Sequence, residues 1–220
     1  MEIYLDTADI DAIRHFQRIL PLAGVTTNPT IVAASGKKIH ELLRQLREVL
    51  GESPRLFAQV LARQAEGMVE EARYLRSIDE NMVVKVPVTV EGLAAMNQLK
   101  QEGVPLLGTA VYSASQGLLA ATAGAQYIAP YVNRLDALSG NGTETVITLS
   151  RLLQLHAPQT KILAASFKNC RQVIDCLIAG AQAVTVPVDV AGQLIASPAT
   201  DSALTQFEKD WCKTYQSLHF

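Results

Sequence analysis

Short apolar runs alternate with amphipathic stretches along the whole chain. The runs Ile3–Asp6, Gly24–Asn28, Leu56–Val60, Met82–Val88, Pro105–Ala110, Tyr127–Tyr131, Ile162–Ser166 and Ala183–Pro187 read as strands. Between them, Asp9–Ile19, Ile39–Leu50, Ala65–Ile78, Val90–Glu102, Ser113–Ala123, Thr143–Leu155, Asn169–Ala179 and Val190–Ile195 read as helices. In the second of these, Leu42, Leu43, Leu46, Val49 and Leu50 fall on one helical face. Asp9 and Ser113 suit N-caps, and Gly103, Gly124 and Gly180 stand just past helix ends, where a left-handed residue often closes the last turn. Eight β-α units predict a parallel sheet with helices outside, and eight is the number that closes a TIM (β/α)8 barrel. The expected organisation is one barrel domain over residues 1–220. No glycine-rich loop follows the first strand, which argues against a dinucleotide-binding fold. An additional C-terminal helix is predicted over 199–218. Phe207, Trp211 and Tyr215 form an apolar stripe on it, fit to pack on its own barrel or on a neighbouring subunit.

The polar residues in these strands sit at one end. The first strand ends in Asp6, the second carries Thr26 and Asn28, and the next five offer Gln59, Lys85, Thr109, Tyr131 and Ser166. Strand alternation pairs each with an apolar or small residue two places earlier, Ala164 with Ser166 among them, so all are expected to point into the barrel. Any one of them alone could be a strand end meeting water. Together they place polar groups at the C-terminal ends of the strands, where TIM barrels carry their sites.

Lys85 is the unusual member. It lies in Met82-Val83-Val84-Lys85-Val86-Pro87-Val88. A charged amine in such a run is costly, so burial lowers its pKa and frees an amine able to form an imine with a carbonyl. A stem that snorkels to water also accounts for such a lysine taken alone. A ring of carboxylate, amide, hydroxyl and phenol groups makes the carbonyl chemistry the better reading.

Composition narrows the partners. Nineteen basic and twenty-one acidic residues leave a net charge of −2, and the basic residues form no long run, so nucleic acid is not expected. The apolar runs are far too short to span a membrane, and the first residues read as a strand rather than a signal peptide, so a cytoplasmic protein is expected. Cys170, Cys176 and Cys212 lack metal-ligand spacing and are expected as free thiols. His15, His40, His156 and His219 lie away from the strand ends, and no metal or cofactor site is expected. Gly140-Asn141-Gly142 is too weak a signal for a phosphate cradle, and Lys37-Lys38 reads as a solvated helix start.

The segments Val25-Thr26-Thr27-Asn28-Pro29-Thr30, Val84-Lys85-Val86-Pro87, Ala129-Pro130-Tyr131-Val132-Asn133-Arg134 and Ala165-Ser166-Phe167-Lys168 resemble the transaldolase family, in order and over essentially the whole chain. Within it the chain is most similar to the short fructose-6-phosphate aldolases. The resemblance implies a Schiff-base aldolase with its imine on Lys85, cleaving fructose 6-phosphate to dihydroxyacetone and glyceraldehyde 3-phosphate without a cofactor. It also implies ring assemblies of two pentamers. Transaldolases of the family usually carry glutamate at the place of Gln59, phenylalanine at Tyr131 and, in larger members, asparagine at Leu107. All three differences favour an aldolase, with transaldolase activity the alternative.

The implied roles follow from the chemistry. Tyr131 is the acid/base, directly or through a water held by Gln59 and Thr109, and Asp6 assists at the C4 hydroxyl. Thr26, Asn28 and Ser166 hydrogen-bond the sugar, while Arg134 and Lys168 take the phosphate. An isomerase on the same barrel and a non-catalytic sugar-phosphate-binding protein are the competing readings, since fold does not fix function.

Overall fold

Side-chain alternation sorts the core into two layers. Strands β1 (Glu2–Asp6), β2 (Leu22–Thr26), β3 (Arg55–Gln59), β4 (Val83–Pro87), β5 (Leu106–Val111), β6 (Tyr127–Pro130), β7 (Lys161–Ala164) and β8 (Ala183–Val186) pair in chain order. All are parallel, and β8 returns to β1 to close the barrel. The computed structural model describes residues 1–219. One set of side chains, including Tyr4, Phe57, Val83, Leu107, Tyr127, Ala129 and Leu163, fills the barrel interior. The other set, including Leu5, Val25, Leu56, Val84, Ile128 and Val184, faces the surrounding helices. This is the expected TIM barrel with its C-terminal helix.

The helices are α1 (Ile10–Gln17), α2 (Pro29–Ala34), α3 (Ile39–Leu50), α4 (Ala65–Ile78), α5 (Val90–Gln101), α6 (Ala114–Thr122), α7 (Val132–Ala137), α8 (Gly142–His156), α9 (Cys170–Ile178), α10 (Val188–Ile195) and α11 (Pro198–Tyr215). α3 shows why they form. Leu42, Leu43, Leu46 and Leu50 recur at helical spacing and are buried, each contributing about 2 kcal/mol by leaving water. Asp9 and Ser113 cap α1 and α6 as expected, and Gly103, Gly124 and Gly180 adopt positive φ. None of the described helices is long and apolar enough to cross a membrane. Cys176 is buried, and burial pushes its thiol up to about 12, so it packs as a neutral group.

Three features depart from the sequence reading. α2 and α7 follow the second and sixth predicted strands, in segments where no helix was expected. Asn28 instead caps α2, its side-chain oxygen accepting from the Ile31 N–H, and Pro29 takes the first helical position, where a missing N–H costs nothing. β6 stops at Pro130 and α7 begins immediately after Tyr131. Along β7 and just beyond it the inward residues are Leu163 and Ala165, so Ala164 faces the helices. Ser166 reaches the mouth through a left-handed backbone, φ 64°, rather than through strand phase. α11 shows no buried residue, and Leu204, Phe207 and Tyr215 stand more than half exposed.

Gly24 permits closure at the β1/β2 irregularity between Ile3 and Tyr4. A Cβ there would lie 1.8 Å from the Arg55 carbonyl oxygen, so only glycine lets β2 approach β3. The opposite end of the barrel is floored by Tyr4, Phe57 and Tyr127, stacked edge to face at 5.2–6.4 Å. Both phenols donate to Glu2 Oε2, at 2.7 and 2.9 Å, and Lys161 Nζ donates to Oε1 at 2.6 Å. Burial acts to raise the Glu2 carboxyl, but the hydrogen bonds from Lys161 and Tyr4 outweigh it and hold the group below the usual carboxylate range.

Glu2→Gln is therefore expected to destabilise the fold by about 1–3 kcal/mol at pH 7, read from urea midpoints. The folded carboxyl lies below its unfolded value, so its contribution is complete above roughly pH 4.3 and lost as pH falls through the folded value. The gap between variant and wild type should close in acid. A gap unchanged at pH 3 would show that the carboxylate is not the source.

Candidate active site

The mouth at the C-terminal ends of the strands holds a cavity of about 250 Å³. Asp6, Asn28, Lys85, Tyr131, Arg134, Ser166 and Lys168 line it, drawn from segments far apart in the chain. The small inward residues Ala129 on β6 and Ala165 just after β7 leave space on that side. Thr26 and Thr109 are fully buried and bond directly to residues of the lining. Gln59 pairs in register with Lys85 but borders two neighbouring grooves beside the β3–α4 segment instead.

A larger, mainly apolar cavity of about 360 Å³ lies between α2 and α4. Its charged group, Glu71, already accepts the Leu61 and Ala62 N–H groups. It brings no lysine amine together with a phenol, as the smaller cavity does. Among the described residues no three His, Cys, Asp or Glu side chains converge as metal ligands would.

Lys85 is 5% exposed, and its Nζ donates to the Thr27 carbonyl at 2.6 Å. That carbonyl is held firmly, because the Thr27 N–H and hydroxyl both donate to the Phe57 carbonyl. Burial lowers the lysine pKa, and the Asp6 charge only partly offsets it. The amine is thus both oriented and poorly solvated as a cation, the condition for a nucleophilic free base.

Tyr131 stands beside it. Its hydroxyl lies 3.0 Å from Thr109 Oγ1, its ring meets Tyr112 edge-on at 5.8 Å, and the Arg134 guanidinium sits 4.8 Å over its face. Burial raises the phenol pKa, opposed by the Thr109 hydrogen bond and by Arg134. The phenol therefore keeps its proton at neutral pH and is equipped to donate it. Arg134 also reaches the Tyr112 hydroxyl at 3.5 Å, and both Arg134 and Lys168 are exposed at the rim.

Asp6 Oδ1 accepts from Thr26 Oγ1 at 2.7 Å, and Thr26 Oγ1 lies 2.6 Å from Thr185 Oγ1. Gln59 Oε1 is buried without a hydrogen-bond partner among the described residues. Such an acceptor is costly to leave unmade, so it is a natural seat for a donor from substrate or solvent.

The family model for transaldolase/fructose-6-phosphate aldolase matches residues 3–218. The chain belongs to that family. It is a family of enzymes with aldolase and transaldolase members. Among solved structures, a mandelate oxidase mutant with a monooxide FMN adduct is 13% identical, with a TM-score of 0.58, over 84% of this chain and 63% of that one. A second mandelate oxidase mutant, with 2-hydroxy-phenylacetamide, is 12% identical at a TM-score of 0.59 over 84% and 64%. The chain thus spans less than two thirds of these proteins, and at such identity the likeness shows the barrel alone.

Thr27, Asn133, Phe167, Thr185 and Pro187 were not singled out in the sequence, yet they line the cavity or hold its residues. Thr185 was legible in principle. It is the last but one residue of β8, in the inward phase set by Ala183, two places earlier. Thr27 acts through its backbone carbonyl, which no side-chain pattern announces.

The Lys85 amine is expected to titrate below the roughly 10.4 of an exposed lysine. Reductive methylation with ¹³C-formaldehyde would give each lysine an NMR signal, with Lys85→Arg identifying the one at issue. A Lys85 signal that titrates together with the surface lysines would show that burial does not depress it.

Proposed function

We propose that this protein is a Schiff-base aldolase that reversibly cleaves fructose 6-phosphate to dihydroxyacetone and glyceraldehyde 3-phosphate. One observation carries the reading: a buried amine and a half-buried, protonated phenol line one small cavity whose rim holds Arg134 and Lys168. Family membership supports the chemistry in general terms.

The steps follow from the groups present. Lys85 attacks the C2 ketone, and the carbinolamine loses water to give the imine. Asp6 takes the C4 hydroxyl proton as the C3–C4 bond breaks, and the electron pair passes into the enamine. Glyceraldehyde 3-phosphate leaves. Tyr131, directly or through a water between Gln59 and Thr109, protonates C3. Hydrolysis of the imine releases dihydroxyacetone and restores Lys85. Asn28 and Ser166 bind sugar hydroxyls, and Thr26 holds Asp6. Arg134 takes the phosphate as a fork and Lys168 as a point charge. A homo-oligomer that covers the outward apolar residues of α11 belongs to the same proposal.

Transfer of the three-carbon unit to a second aldose is the other fate of the enamine. Gln59 lacks the proton chemistry of a carboxyl, and Tyr131 supplies a phenol in its place, which favours release over transfer.

Borohydride added with dihydroxyacetone is expected to inactivate the enzyme and leave one reduced three-carbon adduct on the peptide holding Lys85. Lys85→Arg should neither turn over nor be trapped. A Lys85→Arg variant with normal activity would exclude the imine. Product analysis with fructose 6-phosphate alone, then with erythrose 4-phosphate added, separates the two enamine fates.

Tyr131→Phe removes the proton and keeps the ring. Aldolase turnover should fall roughly 10²–10⁴-fold while the adduct on Lys85 still forms. Unchanged release of dihydroxyacetone in this variant would move the proton donor elsewhere, with Asp6 next in line.

A further inference from the structure

The hydroxyl chain beside Lys85 has a direction. Carboxylate oxygens only accept hydrogen bonds, and a threonine hydroxyl carries one hydrogen. Thr26 Oγ1 gives its hydrogen to Asp6 Oδ1 at 2.7 Å. At its 2.6 Å contact with Thr185 Oγ1 it must then accept. Thr185 is the donor, and its own oxygen is left to accept from whatever occupies the cavity it lines. The three oxygens come from β2, β1 and β8, which meet around the barrel closure. Thr26 is fully buried and Thr185 is 2% exposed, so water competes little for these bonds.

We infer that Thr185 is a positioning residue for the proposed aldolase, fixing the Asp6 carboxylate through Thr26 and ordering that side of the cavity as a wall of acceptors. The inference rests on the proposed function and extends it to the eighth strand. With the donor at Thr185 in place, the Thr26 hydroxyl cannot turn away from Asp6 without leaving its own buried hydrogen without that acceptor and Asp6 Oδ1 without that donor. Asp6 then faces the reacting hydroxyl in one orientation. An ångström of drift at such a group is costly to rate even when binding survives.

The test compares Thr185→Val, which keeps the shape and loses the hydroxyl, with Thr185→Ser, which keeps the hydroxyl. Thr185→Val should lower kcat for cleavage about tenfold with KM changed less than about twofold, and Thr185→Ser should restore most of it. In an Asp6→Asn background the added Thr185→Val change should cost less than about twofold, because the group it positions is already gone. Melting temperature is followed throughout. If Thr185→Val does not fold, Thr185→Cys, a poor hydroxyl substitute of similar size, is read by the same criteria. Unchanged kcat in Thr185→Val, failure of serine to rescue, or an equal loss in the Asp6→Asn background would each overturn the inference. Borohydride trapping with dihydroxyacetone is run alongside. No adduct in the wild type would instead sink the Schiff-base reading, whereas an adduct in both proteins with equal kcat sinks the role of Thr185 alone.

Discussion

A lysine amine inside a closed sheet must be stabilised as a cation or exist as a free base. In this barrel Lys85 is buried, with one backbone carbonyl on its Nζ and one carboxylate acting at longer range. That is too little to replace the hydration shell of an ammonium, so burial lowers its pKa. The rest of the site can be understood from this constraint. The Thr27 carbonyl aims the amine, and the Asp6 charge limits how far the pKa falls. The neighbouring phenol, itself half-buried, is shifted in the opposite sense. One cavity therefore holds an amine whose charged form is disfavoured by burial beside a phenol that keeps its proton, and the proposed imine chemistry draws on that pairing.

The barrel makes this arrangement possible by dividing its interior. Large aromatic rings fill the floor, and Glu2 satisfies both of their hydroxyls. Toward the mouth, Ala129 and Ala165 replace bulky residues and leave the cavity. The floor is closed by a network whose members satisfy one another. The mouth keeps an orphan acceptor on Gln59 and a left-handed, non-glycine residue at Ser166. Ser166 places one strained residue in the cavity lining, while the Gln59 acceptor borders the neighbouring groove.

The strands were legible because they are apolar and short, and the long helices because their leucines repeat at helical spacing. α2 and α7 were hidden because six residues give too little periodicity, although the Asn28-Pro29 pair carried the cap signal. The seven polar strand ends were found by assuming regular alternation. That rule holds for Lys85 and Thr109, and it gives the wrong phase for Ser166, where φ 64° breaks the pleat. Thr185 was passed over for the opposite reason. Threonine is a good strand former, so its presence at a strand end raises no flag until the fold brings it 2.6 Å from Thr26.

Arg134 shows how far the site's electrostatics are shared. Its guanidinium lies over the Tyr131 ring and contacts the Tyr112 hydroxyl, so the group to which the proposed function gives the phosphate also opposes the rise in the phenol's pKa. A dianion bound at the rim would offset that positive charge and make the phenol a weaker acid. On the proposed function, phosphate binding and proton transfer are then electrostatically coupled, because only 4.8 Å separates the guanidinium from the ring. On that reading, binding at the rim has a consequence at the proposed proton donor, and Tyr112 touches both residues that carry the coupling.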